Sequence, residues 1–279
     1  MIYLAYDGST NGDWVARYGV TLASHAPDRH LEVIHVDTGE VPRSRLDEKL
    51  ALLAIECGTA GVALETAVVP PAGDVFRTLV EHVAAGAENF LICGARATAN
   101  GKGYLSGTTA ERLLDQHRSN VMVIRVLQPG LLGAPHQFLL PVAGDPLGAR
   151  AGMALLKLFD GDVRRVELLK VMTVGARTFR HLRPERAARL RADGQRYLKA
   201  VEDELIARTG LAAADIDVNV VVSDDWVREI VIAASRHRSH LICMEASLRH
   251  LRTDFFYGNP LEVVLRDAPC DAAIYRGAS

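Results

Sequence analysis

The sequence predicts an α/β protein with two tandem doubly wound, Rossmann-like sheets, each five-stranded, mainly parallel and covered by helices on both faces. Three observations carry that prediction. The apolar runs are short, β-branched and continuous, as in strands buried on both sides. Segments of helical periodicity alternate with them. The whole pattern also occurs twice. Leu91-Ile92-Cys93 returns as Leu241-Ile242-Cys243, 150 residues later. At that offset Phe76, Val80 and Val83 correspond to Trp226, Ile230 and Ala233, and Val123-Ile124-Arg125 to Ala273-Ile274-Tyr275. Nearer the start of each copy the offset is 135, pairing Leu31-Glu32-Val33-Ile34 with Val166-Glu167-Leu168-Leu169. The second copy is therefore longer by fifteen residues, placed between Thr173 and Ser223. The domains read as 1–129 and 134–279, with the Gly- and Pro-bearing stretch 128–135 as linker.

Each element follows from local pattern. Residues 2–6 form a short apolar strand, and 13–26 a helix with Val15, Tyr18 and Leu22 on one face. A second strand spans 31–36. A second helix spans 43–57, with Leu46, Leu50, Leu53 and Ala54 facing inward. Strand 62–69, helix 74–85 and strand 90–93 follow, then a short helix over 109–117 and a last strand over 121–126. In the second copy Pro184-Glu185 opens a helix that runs to Arg208, with Leu190, Tyr197, Leu198, Val201 and Leu205 as its apolar face.

Composition excludes several functions. The 279 residues carry 32 basic and 34 acidic side chains, net −2, too balanced for a protein that binds nucleic acid through bulk charge. A chain 24% charged and 49% hydrophobic is ordinary globular composition. Its longest apolar runs fall far short of the roughly 20 residues that span a bilayer. The first residues lack a basic segment and reach Asp7 at once, unlike a secretory signal. The four cysteines, Cys57, Cys93, Cys243 and Cys270, form no CxxC pair and read as buried reduced thiols. These features point to a cytoplasmic protein without a membrane span.

Ligands of open parallel sheets bind beyond the carboxyl ends of the strands. The segment after the fourth strand carries the most specific signal. Gly94 opens a glycine-rich loop that ends Gly107-Thr108-Thr109, where Thr108 and Glu111 form a capping box at a helix start. Free N–H groups there suit an anion, with Thr108 and Thr109 as hydroxyl donors and Lys102 as added charge. The alternative is a loop that caps its helix and binds nothing. Gly101-Lys102-Gly103 lacks the spacing of a Walker A element.

These residues resemble the universal stress protein family in its tandem form. Gly94, two residues, Ala97, nine residues and Gly107-Thr108 match the spacing of that family's nucleotide loop, with Ala97 in place of its middle glycine. Tyr6-Asp7-Gly8-Ser9 resembles the end of its first strand, and His35-Val36-Asp37 the end of its second. The resemblance implies a first domain that binds ATP, or AMP or ADP, with Mg²⁺ as companion. It implies nucleoside contact by Asp7, adenine contact by Val36, and phosphate contact by Gly94, Gly107, Thr108 and Thr109, with Arg96 and Ala97 inside the loop. The Ala97 methyl narrows the phosphate approach and weakens that contact. The implied role is a regulator in stress response that acts through a protein partner or homodimer. Its two halves would pair through their last strands, 121–126 and 272–275. A nucleotide-free interaction scaffold is one rival. A slow ATPase on the same loop is another, with Asp37 as the candidate magnesium carboxylate. No catalytic residue and no resident metal are expected.

The second copy departs further from the pattern. Ala143 stands where Asp7 would be, and Met244-Glu245-Ala246-Ser247 lacks the glycines. Gly258-Asn259-Pro260 keeps a helix start. Phe255, Phe256 and Tyr257 read either as packing in a vacated cleft or as a stacking platform. Residues 177–196 hold seven arginines, which read as a solvated face or as a docking surface for an acidic partner, nucleic acid or anionic lipid. Acidic Glu202, Asp203 and Glu204 follow, so the nucleic-acid signal is not clear from sequence. His237 and His240 read as solvated turn residues.

Overall fold

The computed structural model describes residues 1–96, 103–105, 107–116, 118–143, 150–159, 161–246 and 260–278. It has the expected α/β architecture, with ten mainly parallel strands among the described residues. The chain divides into two compact units, residues 1–134 with 246–262 and 273–279, and residues 135–245 with 263–272.

The first unit contains β1 (Ile2–Ala5), α1 (Thr10–His25), β2 (His30–Val36), α2 (Arg43–Ala60), β3 (Ala63–Val69), α3 (Val75–His82), β4 (Gly86–Gly94), α4 (Thr109–Asp115) and β5 (Ser119–Arg125). Its strands run in the order β3-β2-β1-β4-β5, all parallel. Central β1 is apolar throughout because helices cover both its faces, and Leu4, Leu31, Ile34, Leu91 and Ile92 are fully buried around it. Helix α1 begins three residues before the apolar periodicity does, because the Ser9 hydroxyl accepts the Gly12 N–H at 3.0 Å and caps it. On α2, Leu46, Leu50 and Leu53 are buried as predicted. Ala54 is exposed instead, and Cys57, one turn beyond Leu53, completes the stripe.

The second unit contains β6 (Gln137–Pro141), α5 (Arg150–Lys157), β7 (Arg165–Thr173), α6 (Ala176–Arg180), α7 (Pro184–Thr209), β8 (Ile216–Ser223), α8 (Trp226–Arg236) and β9 (Leu241–Glu245). Two further elements, α9 (Pro260–Asp267) and β10 (Asp271–Arg276), are shared between the units. The order β8-β7-β6-β9 repeats that of β3-β2-β1-β4. Phe138 and Phe159 meet at a tilt, ring centroids 5.2 Å apart, in its core, and α7 buries Leu198, Val201 and Leu205.

Each unit also holds a Glu–His pair at the amino-terminal end of its second strand. Glu32 on β2 meets His82, the last residue of α3, at 2.6 Å. Glu167 on β7 meets His237, just past α8, at 3.0 Å. His237 is therefore not the solvated residue its polar turn predicts, because the end of α8 sets it over a buried carboxylate. His240 is not solvated either. Its Nδ1 accepts the His136 N–H at 3.2 Å, and burial lowers its pKa.

All four cysteines are free and buried, as predicted. No helix among the described residues is long and apolar enough to cross a membrane.

Candidate functional site

In the first unit the chain leaves β1 toward β2 on one side, while β4 lies on the other. This reversal of strand order opens a crevice beyond the strand ends. A cavity of about 490 Å³ fills it, within the size range of small-molecule sites. Six of the predicted residues line it: Asp7, Val36, Gly94, Arg96, Thr108 and Thr109. Gly107 does not. It makes the turn before α4 with φ +76°, a conformation a side chain would strain. Ala97 and Lys102 lie outside the described residues, as do 247–259 with Phe255, Phe256 and Tyr257.

Asp7 is set by the end of β1 and the start of α1. Its Oδ1 accepts the Ser9 N–H at 2.9 Å and the Ser9 hydroxyl at 2.7 Å. Its Oδ2 lies 3.6 Å from Arg96 Nη1, across the gap between β1 and β4. Both side chains are solvent-exposed, so this pair holds weakly and either partner can turn to a ligand. Val36 is buried at the end of β2 and offers an apolar wall. Beneath the cavity the His35 ring binds the Tyr6 carbonyl at 2.8 Å, tying β2 to β1. Burial pushes the Cys93 thiol up to about 12, so it is an apolar lining group and no nucleophile. Burial also raises the Tyr6 pKa, and its hydroxyl bonds Asp13.

The sequence missed Asn11, Thr38, Glu40 and Val41, which also line the cavity. Asn11 packs directly on Gly94, where an added Cβ would lie 2.7 Å from its amide nitrogen. Placing the start of α1 at residue 13 hid it. Reading Ser9 as the cap would have put Asn11 in the first turn, facing β4.

Asp37 does not line the cavity. Its Oδ1 accepts the Gly39 N–H at 3.0 Å. No cluster of three His, Cys, Asp or Glu side chains among the described residues suits a metal.

Several N–H groups of the described loop residues have protein partners. Those of Tyr104 and Leu105 donate to the Glu262 carboxylate, the latter at 2.7 Å, and that of Gly107 donates to Glu111 at 2.8 Å. The Thr108 hydroxyl accepts the Glu111 N–H at 3.2 Å and donates to the Leu105 carbonyl at 2.6 Å. Thr108 is therefore the cap of α4, as predicted, but its proton is already in use. Among the described residues, no side-chain cap is seen on the backbone N–H groups of Thr109 and Ala110, in the first turn of α4.

In the second unit Ala143 follows β6, and its carbonyl accepts the Tyr197 hydroxyl at 3.0 Å. Lys170 lies 3.8 Å over the Tyr197 ring. Burial lowers its pKa.

No family model matches the chain, and no curated protein does. Solved structures do. A universal stress protein from Archaeoglobus fulgidus superimposes with a TM-score of 0.64 at 17% identity, covering 100% of this chain and 97% of that one. A putative universal stress protein from Pseudomonas aeruginosa gives 0.59 at 14% identity, covering 99% and 93%. The cytoplasmic domain of a prokaryotic cation chloride cotransporter gives 0.60 at 9% identity, covering 99% and 95%. Over its whole length, the chain has the fold of a tandem universal stress protein.

Proposed function

We propose that the first unit binds an adenine nucleotide and that the chain is a universal-stress-type regulator working in the cytoplasm. The observation that carries this reading is the cavity at the β1/β4 reversal, lined together by Asp7, Val36, Gly94, Arg96 and Thr109. In it, Asp7 offers a carboxylate for ribose hydroxyls and Val36 a wall for the base. Arg96 and the start of α4 offer positive charge for phosphate. A companion Mg²⁺ would come with the nucleotide, since the described side chains form no metal cluster of their own. Nucleotide occupancy would then set the affinity for a protein partner or a second copy, with the last strands of the two repeats as pairing edges.

Calorimetric titration with ATP, ADP and AMP tests the reading. One equivalent per chain is expected, with affinity lowered about tenfold or more by Asp7→Ala. Absence of binding, two equivalents, or an Asp7→Ala variant that binds equally well overturns it.

A specific observation favours the nucleotide-free scaffold as second reading. Glu262 and Glu111 already satisfy the N–H groups of Tyr104, Leu105 and Gly107. If these carboxylates only compete with phosphate, Glu262→Gln raises nucleotide affinity. If the site is a closed structural loop, neither the native chain nor that variant binds.

A further inference from the structure

We propose that α6 and the first turns of α7 form a docking surface for single-stranded nucleic acid. This segment is where the second repeat exceeds the first. One helix of 18 residues, α2, joins β2 to β3, whereas α6 with 5 residues and α7 with 26 join β7 to β8. The added length does not serve the core. No residue of α6 is buried, and the first buried residue of α7 is Gly194, so ten residues of α7 precede its first buried position, with only Ala187 and Leu190 among them half-buried.

That surplus surface is arginine. Arg177, Arg180, Arg183, Arg186 and Arg189 recur every third residue, with Arg191 beyond them, and all six are exposed. None makes an ion pair or side-chain hydrogen bond among the described residues. Over 176–192 the one acidic residue is Glu185. Some exposed arginines elsewhere have partners, as Arg43 has Asp47, Arg77 has Glu81 and Arg208 has Glu204, while scattered ones such as Arg45 and Arg228 have none among the described residues, so the distinction of this segment is that six lie together. Six guanidinium groups without local counter-charges, each able to grip a phosphate through two N–H groups, fit a phosphate polyanion.

The apolar side chains decide which polyanion. Phe179 is 38% exposed between Arg177 and Arg180, and it is the one large hydrophobic in the segment that counts as exposed. A helix that enters a bilayer surface needs a free apolar face, but that of α7 is spent on its own sheet through Leu198, Val201 and Leu205. A single exposed ring among arginines suits base stacking beside a phosphodiester backbone. The net charge of −2 makes binding weak at physiological salt and leaves it to this local face.

Fluorescence anisotropy of a labelled 20-nucleotide single-stranded RNA, titrated with the full chain over a series of salt concentrations, tests the proposal. Binding is expected to weaken with salt, with a log–log slope of up to about −4 if six phosphates are neutralised. Replacing Arg180, Arg186 and Arg189 together by Ala should shrink the slope by about 2 units. Phe179→Ala should cost about tenfold in affinity and leave the slope unchanged. Arg208→Ala should change neither. These are surface positions, and unchanged melting temperatures confirm folding. The proposal is overturned if the native chain does not bind RNA at low salt, or if the triple variant keeps the native slope. It is also overturned if the chain binds vesicles rich in phosphatidylserine, or an acidic peptide, but not RNA.

Discussion

Glu167 is almost fully buried on β7, with its carboxylate between Asn219 Nδ2 at 2.9 Å and His237 Nδ1 at 3.0 Å. Burial pushes its pKa up, and the Asp217 charge adds to this, while the Asn219 hydrogen bond, His237 and Arg165 oppose it. The folded state therefore holds the Glu167 proton more tightly than the unfolded chain does. That contribution to stability is complete below the ordinary carboxylate range and is lost as pH rises through the raised value. Glu167→Gln has no such proton to lose. Its urea midpoint should vary less than the native one between about pH 4 and pH 7. Parallel profiles for the two proteins would refute this account. A second prediction at this scale concerns packing. Phe138 is fully buried against Phe159, so Phe138→Ala should cost about 3–5 kcal/mol in a denaturation measurement.

At the scale of the element, the site depends on two helix caps. Ser9 caps α1 and bonds Asp7 through both its N–H and its hydroxyl. Ser9→Ala should cost about 1 kcal/mol by urea denaturation and also weaken nucleotide binding, because Asp7 loses its anchor. Thr108→Ala should cost a similar amount, about 1 kcal/mol, at α4. An unchanged urea midpoint in either variant would show that its cap does not hold the helix.

Most elements were legible because burial on two faces leaves an unbroken apolar run that tolerates little else. The predicted strand 31–36 lies within β2, and the helix predicted from Pro184 ends one residue beyond Arg208. Legibility failed where the decisive partner is remote in sequence. Nothing near His237 announces Glu167, 70 residues earlier, and nothing near Tyr104 announces Glu262. Candidate site residues at strand ends, such as Asp7 and Val36, could be read because topology alone places them. Asn11 needed the Ser9 cap to be recognised first, and Glu40 could not be read, since the path of a loop decides where it points.

For the whole molecule, the repeat predicts unequal halves. The second unit has Ala143 in place of Asp7, and Tyr197 bonds the Ala143 carbonyl. One nucleotide equivalent per chain is the expected stoichiometry. The thiols give an independent report on the folded state. Burial raises all four, Cys57 to about 11 and Cys270 to about 12 among them. A thiol reagent at mildly alkaline pH should label none of them in the native chain and all four after denaturation. Rapid labelling of any one without denaturant would show a local opening at that position.

The paired Glu32–His82 and Glu167–His237 contacts bear on how such a duplicated chain drifts. Losing the His strands a buried carboxylate, Glu32 or Glu167, without that partner, which is more damaging than never having had the pair. A single substitution of the His is therefore resisted for as long as the carboxylate stays. The cavity residues have no such lock, since Asp7 and Arg96 are exposed and each can be replaced singly. Two halves that began alike could then lose a ligand site on one side while both kept the same foundation.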